Sequence, residues 1–126
     1  MYKRNVFCDQ SLAAITPIIT SPPPHILIEL RLVDCATSTK VMQDLHKTLA
    51  NTETYLRSLA LVQMKMNFPL TNLATFVENS NSLENLDLSG NDLQSFHFVN
   101  LLKAIAHNKT LHNINLSWNK ILDENV

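Results

Sequence analysis

Residues 83–93 read LENLDLSGNDL, and residues 111–121 read LHNINLSWNKI. The two stretches share the pattern L-x-x-L-x-L-S-x-N-x-L, with Ile replacing Leu twice in the second. A pattern that returns at a fixed interval of roughly 20–50 residues is typical of a protein built from stacked copies of one structural unit. These two stretches therefore decide the fold that the sequence predicts.

Two earlier copies of the pattern are found by stepping back from Leu83 at nearly the same interval. The nearer copy begins at Leu56 and has Met at the asparagine position, and the one before it begins at Leu27 and has Cys there. Their pattern positions are Leu56, Leu59, Leu61, Met64 and Met66, and before them Leu27, Leu30, Leu32, Cys35 and Thr37. A fifth, degenerate copy at a slightly shorter interval would use Tyr2, Asn5, Phe7, Gln10 and Leu12. The alternative is that residues 1–25 form an N-terminal cap, linked to the repeats by the extended run Pro22-Pro23-Pro24.

Each copy predicts a strand, a turn and a helix. The alternating L-x-L places both leucines on one side of a short strand and the residue between them on the other side. The Asn position closes the strand, because its side chain can satisfy backbone groups of a turn that no longer pair in the sheet. Helical spacing follows in three copies. The apolar positions are Val41, Leu45 and Leu49; Leu70, Leu73, Ala74 and Val77; and Phe98, Leu101, Leu102 and Ile105.

This arrangement resembles the ribonuclease-inhibitor-like leucine-rich repeats, over residues 26–126. The resemblance implies an α/β, right-handed solenoid of about four repeats, with short parallel strands on the concave side and helices on the convex side. Cys35 suits the family, which accepts Asn or Cys at the turn, and we expect it to be buried rather than a reactive thiol. Met64 departs from the pattern, so we expect its turn to be the least regular.

Composition excludes several classes of function. The net charge is −1 and the basic residues are scattered, which argues against nucleic-acid or membrane-surface binding. A single glycine, Gly90, excludes the Gly-rich phosphate loops, and there is no H-E-x-x-H or C-x-x-C motif. We expect the histidines at the surface or at helix ends, with His107 ending a helix and His112 starting a strand. The sequence thus predicts no enzyme, no cofactor, no metal site and a cytoplasmic location.

The remaining prediction is binding of another protein. By resemblance, the concave strand face is the binding surface. It runs from mixed charge, through the small and apolar residues Ser58, Ala60 and Val62, to polar and mildly acidic residues. An exposed Trp118 at its edge is an interface anchor. The candidate binding residues are Glu29, Arg31, Ser58, Asn85, Asp87, Asn113, Asn115 and Trp118. We expect part of a larger scaffold, cytoskeletal or signalling protein, whose C-terminal edge is covered by further repeats or by another subunit. The alternatives are a regulator of a GTPase or inhibitor of an enzyme acting through the same face, and a structural subunit of a large assembly.

Overall fold

The computed structural model describes residues 4–6, 19, 27–35 and 38–120, in which strands and helices alternate. The strands are β1 (Arg4–Val6), β2 (Glu29–Val33), β3 (Ser58–Val62), β4 (Asn85–Asp87) and β5 (Asn113–Asn115). The helices are α1 (Thr39–Asn51), α2 (Thr71–Asn79) and α3 (Val99–His107), and a short 3-10 helix at Ser95–His97 precedes α3. The fold is therefore α/β, as the sequence predicts.

The five strands form one parallel sheet in the order in which they occur in the chain. Leu30 lies beside Leu59, Leu59 beside Leu86, and Leu86 beside Ile114. Residues one repeat apart in the sequence therefore lie side by side on neighbouring strands. Strand β1 pairs with β2 so that Asn5 lies beside Leu30, which is the alignment that a fifth copy of the pattern requires. The predicted proline link before residue 26 lies outside the described residues.

The helices pack on one face of this sheet. Leucines of the strands and of the helices belong to one continuous buried cluster. In β2, Leu30 and Leu32 are fully buried while Arg31 between them is exposed. Because successive strand residues point to opposite faces, the helices must cover the leucine face. Among the described residues, no helix covers the opposite face, where the predicted binding residues of the strands lie.

One position of each helix faces the next helix along the row. His46 in α1, Ala74 in α2 and Leu102 in α3 recur at the interval of the repeat and occupy this position. His46 is 1% exposed and Ala74 5% exposed, whereas Leu102 is 53% exposed. Leu102 fits the helical spacing of apolar residues and is nevertheless exposed, because α3 contacts α2 on one side and no described helix lies on the other.

Two histidines are buried, and one of them differs from the prediction. His46 is buried at the α1–α2 contact, where its ring packs against Phe68 with the centroids 5.5 Å apart. His97 is buried because it caps the 3-10 helix, accepting a hydrogen bond at Nδ1 from the Gln94 amide at 3.0 Å. The expectation that the histidines lie at the surface or at helix ends is therefore wrong for His46. His107 does end α3, as predicted, and its Nδ1 lies 2.8 Å from the carbonyl of Lys103.

The turns after the strands are joined by a ladder of side-chain hydrogen bonds. The Asn91 amide donates to Asn119 Oδ1 at 2.9 Å, and the Met64 amide donates to Asn91 Oδ1 at 2.7 Å. The Cys35 amide continues the ladder by donating to the Met64 thioether at 3.4 Å. Each side chain at the asparagine position thus satisfies a backbone donor of the preceding turn, and Cys35 is buried as predicted.

The turn at Met64 keeps the regular backbone despite the missing asparagine. Gln63 and Lys65 on either side of it have φ of 55° and 58°, and the flanking residues of Asn91, Gly90 and Asp92, have φ of 72° and 58°. The expectation that this turn is the least regular is therefore wrong. Met64 is buried, and its sulfur, although a weak acceptor, lies where the asparagine oxygen lies in the other turns.

Candidate protein-binding face

The sheet face opposite the helices contains a shallow groove of about 290 Å³. Strand register sets two rows of side chains across it: Glu29, Ser58, Asn85, Asn113, and Arg31, Ala60, Asp87, Asn115. Six of the eight predicted binding residues line the groove, namely Arg31, Ser58, Asn85, Asp87, Asn113 and Asn115. Glu29 belongs to the same face without lining the groove, and Trp118 lies outside it.

Ala60 forms the floor of the groove. It is only 4% exposed, although the sequence places it on the outward side of β3. Its neighbours in register, Arg31 on β2 and Asp87 on β4, have larger side chains. A methyl group between two larger side chains leaves a depression at this point of the sheet face.

Backbone and side-chain contacts hold the amide half of the groove in place. Asn113 Nδ2 donates to Asn85 Oδ1 at 2.7 Å, which joins the side chains of β5 and β4. Asp87 Oδ1 and Asn115 Oδ1 each accept a hydrogen bond at 3.0 Å from the amide two positions later in the chain. These bonds fix the side chains before any partner binds, which lowers the entropy that binding would cost.

The charges of the groove have no ionic partner among the described residues. Among the described residues, Lys40 pairs with Asp44 and Lys120 pairs with Asp92, and both pairs are exposed and lie away from the groove. Arg31 and Asp87 both line the groove. The groove thus presents one cation and one anion with an alanine between them.

Trp118 occupies the turn after β5 rather than the sheet face. Its side chain is 89% exposed, and its φ of 59° lies in the left-handed region that bulky residues rarely adopt. The equivalent residue one copy earlier is Gly90, with φ of 72°. Among the described residues, the buried core does not include Trp118, so this residue combines a left-handed backbone, which costs a non-glycine residue free energy, with an exposed indole.

Replacing Trp118 with glycine is expected to raise the free energy of unfolding by up to about 1 kcal/mol, because glycine adopts positive φ without steric cost. Trp118→Ala is the matched control, since it removes the same indole and keeps the strained backbone. Urea unfolding followed by circular dichroism measures both variants. Equal stability of the two variants would show that the indole, and not the backbone, sets the effect.

Sequence reasoning missed two other features of the surface. A cavity of about 460 Å³ lies between the ends of α1 and α2, lined mainly by Asn, Ser and Thr side chains with Tyr55 and Phe76. A smaller one of about 350 Å³ adjoins His46 and Phe68. Both depend on how consecutive helices are offset, for which the repeat pattern gives no signal.

The described residues contain no group of three or more His, Cys, Asp or Glu side chains placed to hold a metal ion. Within the same residues, none of the helices is both long enough and apolar enough to span a membrane. No protein-family model matches the chain, and no curated protein and no solved structure matches it. The geometry of the sheet face and of its edge is therefore what bears on function.

Proposed function

We propose that this chain is a leucine-rich-repeat solenoid module that binds another protein through the groove of its uncovered sheet face. The observation that supports the proposal is the groove itself, floored by Ala60 and lined by polar side chains from four parallel strands, of which those on β4 and β5 are fixed by hydrogen bonds. A polar face with a small apolar floor matches the composition of transient protein interfaces. The repeat register supports the solenoid interpretation, since each strand–turn–helix unit contacts its neighbours in order.

The exposed Trp118 extends the proposed interface to the strand edge. Tryptophan is enriched among residues that dominate binding energy. The last described strand, β5, has three exposed residues, and Ile114 within it is 41% exposed. We propose that a partner in the groove, or further repeats along the stack, contacts this edge. A cytoplasmic scaffold or cytoskeletal protein is the setting that such a module suits.

Filling the groove is expected to abolish partner binding without unfolding the protein. Ala60→Tyr places a large ring on the floor of the groove, whereas Thr75→Tyr adds the same ring to the exposed side of α2. Proteins retained from a lysate of the source cells by the unmodified chain are compared with those retained by both variants. The identified partner is then purified, and its affinity for the three chains is measured by calorimetry.

The expected result is a loss of affinity of at least about tenfold for Ala60→Tyr and no change for Thr75→Tyr. Circular dichroism must show that both variants melt as the unmodified chain does. Equal affinity for all three chains would overturn the proposal that the groove is the binding surface. An enzymatic or GTPase assay on the purified partner, with and without the chain, separates a scaffold from a regulator.

A further inference from the structure

We infer that the partner of the groove is a helix that presents an acidic and a basic side chain about 10 Å apart, with a small apolar side chain between them. This inference rests on the proposed function, because it specifies which chemistry the same groove recognises. It follows from three residues that the strand register places in one row: Arg31 on β2, Ala60 on β3 and Asp87 on β4.

The two charges in this row are available to a partner. Arg31 is exposed, and within the described residues it forms no ion pair. Asp87 uses one carboxylate oxygen, which accepts the Ser89 amide at 3.0 Å, and this contact orients the group without neutralising it. Arg31 and Asp87 lie two strands apart, with their Cα atoms about 10 Å from each other, and among the described residues no ion pair joins them. A partner with an acidic group over Arg31 and a basic group over Asp87 would form an ion pair with each of them.

The neighbouring residues add no competing charge to the row. Glu29 lies two positions before Arg31 on the same face, and it already has an interaction of its own. The next residue of the row after Asp87 is Asn115, which is uncharged. The face carries Arg31 together with the acidic Glu29 and Asp87, which disfavours a polyanion such as nucleic acid. The row itself presents one charge of each sign, which favours a partner with one charge of each sign.

The spacing of the charges favours a helix over an extended segment. Side chains on one side of a strand repeat about every 7 Å, so no pair of them is about 10 Å apart. Residues i and i+7 of a helix lie on one side and are separated by about 10.5 Å along its axis. Residue i+3 or i+4 of the same helix then lies over Ala60, where the depression accepts a small apolar side chain.

A display selection on the full chain tests this inference. A helical scaffold randomised at positions i, i+3, i+4 and i+7 of one face is selected against the unmodified chain. The expected binders have an acidic residue at position i or i+7, a basic residue at the other of these two positions, and Ala, Val or Leu between them. Their affinities are then measured for Arg31→Glu, Asp87→Lys and Ala60→Tyr.

Changing one charge should change the preferred partner. On Arg31→Glu the binders are expected to lose about tenfold in affinity, and to regain it when their acidic residue is changed to lysine. On Asp87→Lys the regain should come from changing their basic residue to glutamate. Such compensation would not occur if these substitutions acted through stability, which melting curves check independently.

The outcomes separate this inference from the proposed function. Binders that lose affinity for Ala60→Tyr but not for the charge variants would overturn the inference and leave the groove as the binding surface. Binders that ignore all three substitutions, or a selection that yields none, would overturn the inference, and the proposed function would then be decided by the affinity of the identified partner for Ala60→Tyr. Loss on all three with the predicted compensation would support both.

Discussion

Replacing Asn91 with alanine is expected to lower the free energy of unfolding by about 4 kcal/mol, because four hydrogen bonds are lost and buried backbone groups are left without partners. Asn91 Oδ1 accepts the Met64 amide at 2.7 Å. Its Nδ2 donates to the carbonyls of Leu61, Leu88 and Ser89 at 2.6, 2.9 and 3.2 Å. The side chain is fully buried, so water cannot replace these bonds.

The matched control is Asn119→Ala, at the same position one copy later. Asn119 makes a similar set of bonds, accepting the amides of Asn91 and Leu93 and donating to Leu88. It is only partly buried, however, so water can reach the groups that the substitution frees. The expected loss is about 1–2 kcal/mol. Urea unfolding measures both variants, and a loss for Asn119→Ala as large as that for Asn91→Ala would contradict the role of burial.

Since a domain of this size is stable by only about 5–15 kcal/mol, Asn91→Ala should remove between about a quarter and most of the stability of the fold. Asn91→Asp tests which half of the amide matters. It keeps the acceptor for Met64 and replaces the donors to three carbonyls with a second acceptor. A loss at least as large as that of the alanine variant is expected, since a carboxylate would then be buried against carbonyl oxygens.

The sequence predicts that this ladder of side-chain hydrogen bonds exists, but not how strongly it stabilises the fold. Its period shows that a turn residue recurs and that its side chain serves the backbone, which the bonds of Asn91 confirm. It could not show that Met64 occupies the same place, because the substitution is acceptable only when the backbone of the neighbouring turns holds it there. The residue type at Met64 predicts an irregular turn, but the neighbouring turns of the stack keep its backbone regular.

The candidate site also has a part that the sequence predicts and a part that it does not. Alternation along the strands assigns Arg31, Asp87 and the asparagines to one face, and six of the predicted residues do line one groove. The burial of Ala60 was not predictable from β3 alone, because it depends on the long side chains of the strands on either side. Likewise, His46 reads as an ordinary polar helix residue until α2 is placed against α1. Contacts between copies, rather than within one copy, are what the pattern leaves unspecified.

His46 gives the second large effect, a dependence of stability on pH. Burial lowers the pKa of His46 from 6.5 to about 4. The unfolded chain therefore binds a proton near pH 6.5 that the folded chain does not bind until about pH 4. The contribution of neutral His46 to the free energy of unfolding is fully present above pH 6.5 and is lost as the pH falls to 4. At about 1.4 kcal/mol per pKa unit, the loss is about 3 kcal/mol.

The variant His46→Leu isolates this contribution from that of the other titrating groups. Its free energy of unfolding should fall less than that of the unmodified chain between pH 7 and pH 4.5, because leucine takes up no proton. Thr75→Leu is the control, since it places the same apolar side chain on the exposed side of α2 and removes no titrating group. Urea titrations at half-unit pH steps give the profiles, and parallel curves for the unmodified chain and His46→Leu would refute the role of His46.

His46→Leu also tests whether the neutral histidine lowers the free energy of unfolding. His46 Nε2 is buried without a hydrogen-bond partner in the part of the chain that the structure describes. Replacing an unsatisfied buried polar group with an apolar one of similar size is neutral or stabilising. His46→Leu should therefore be at least as stable as the unmodified chain at pH 7.5, where protonation plays no part. A large loss at that pH would mean that the packing of the ring on Phe68 outweighs its unpaired nitrogen.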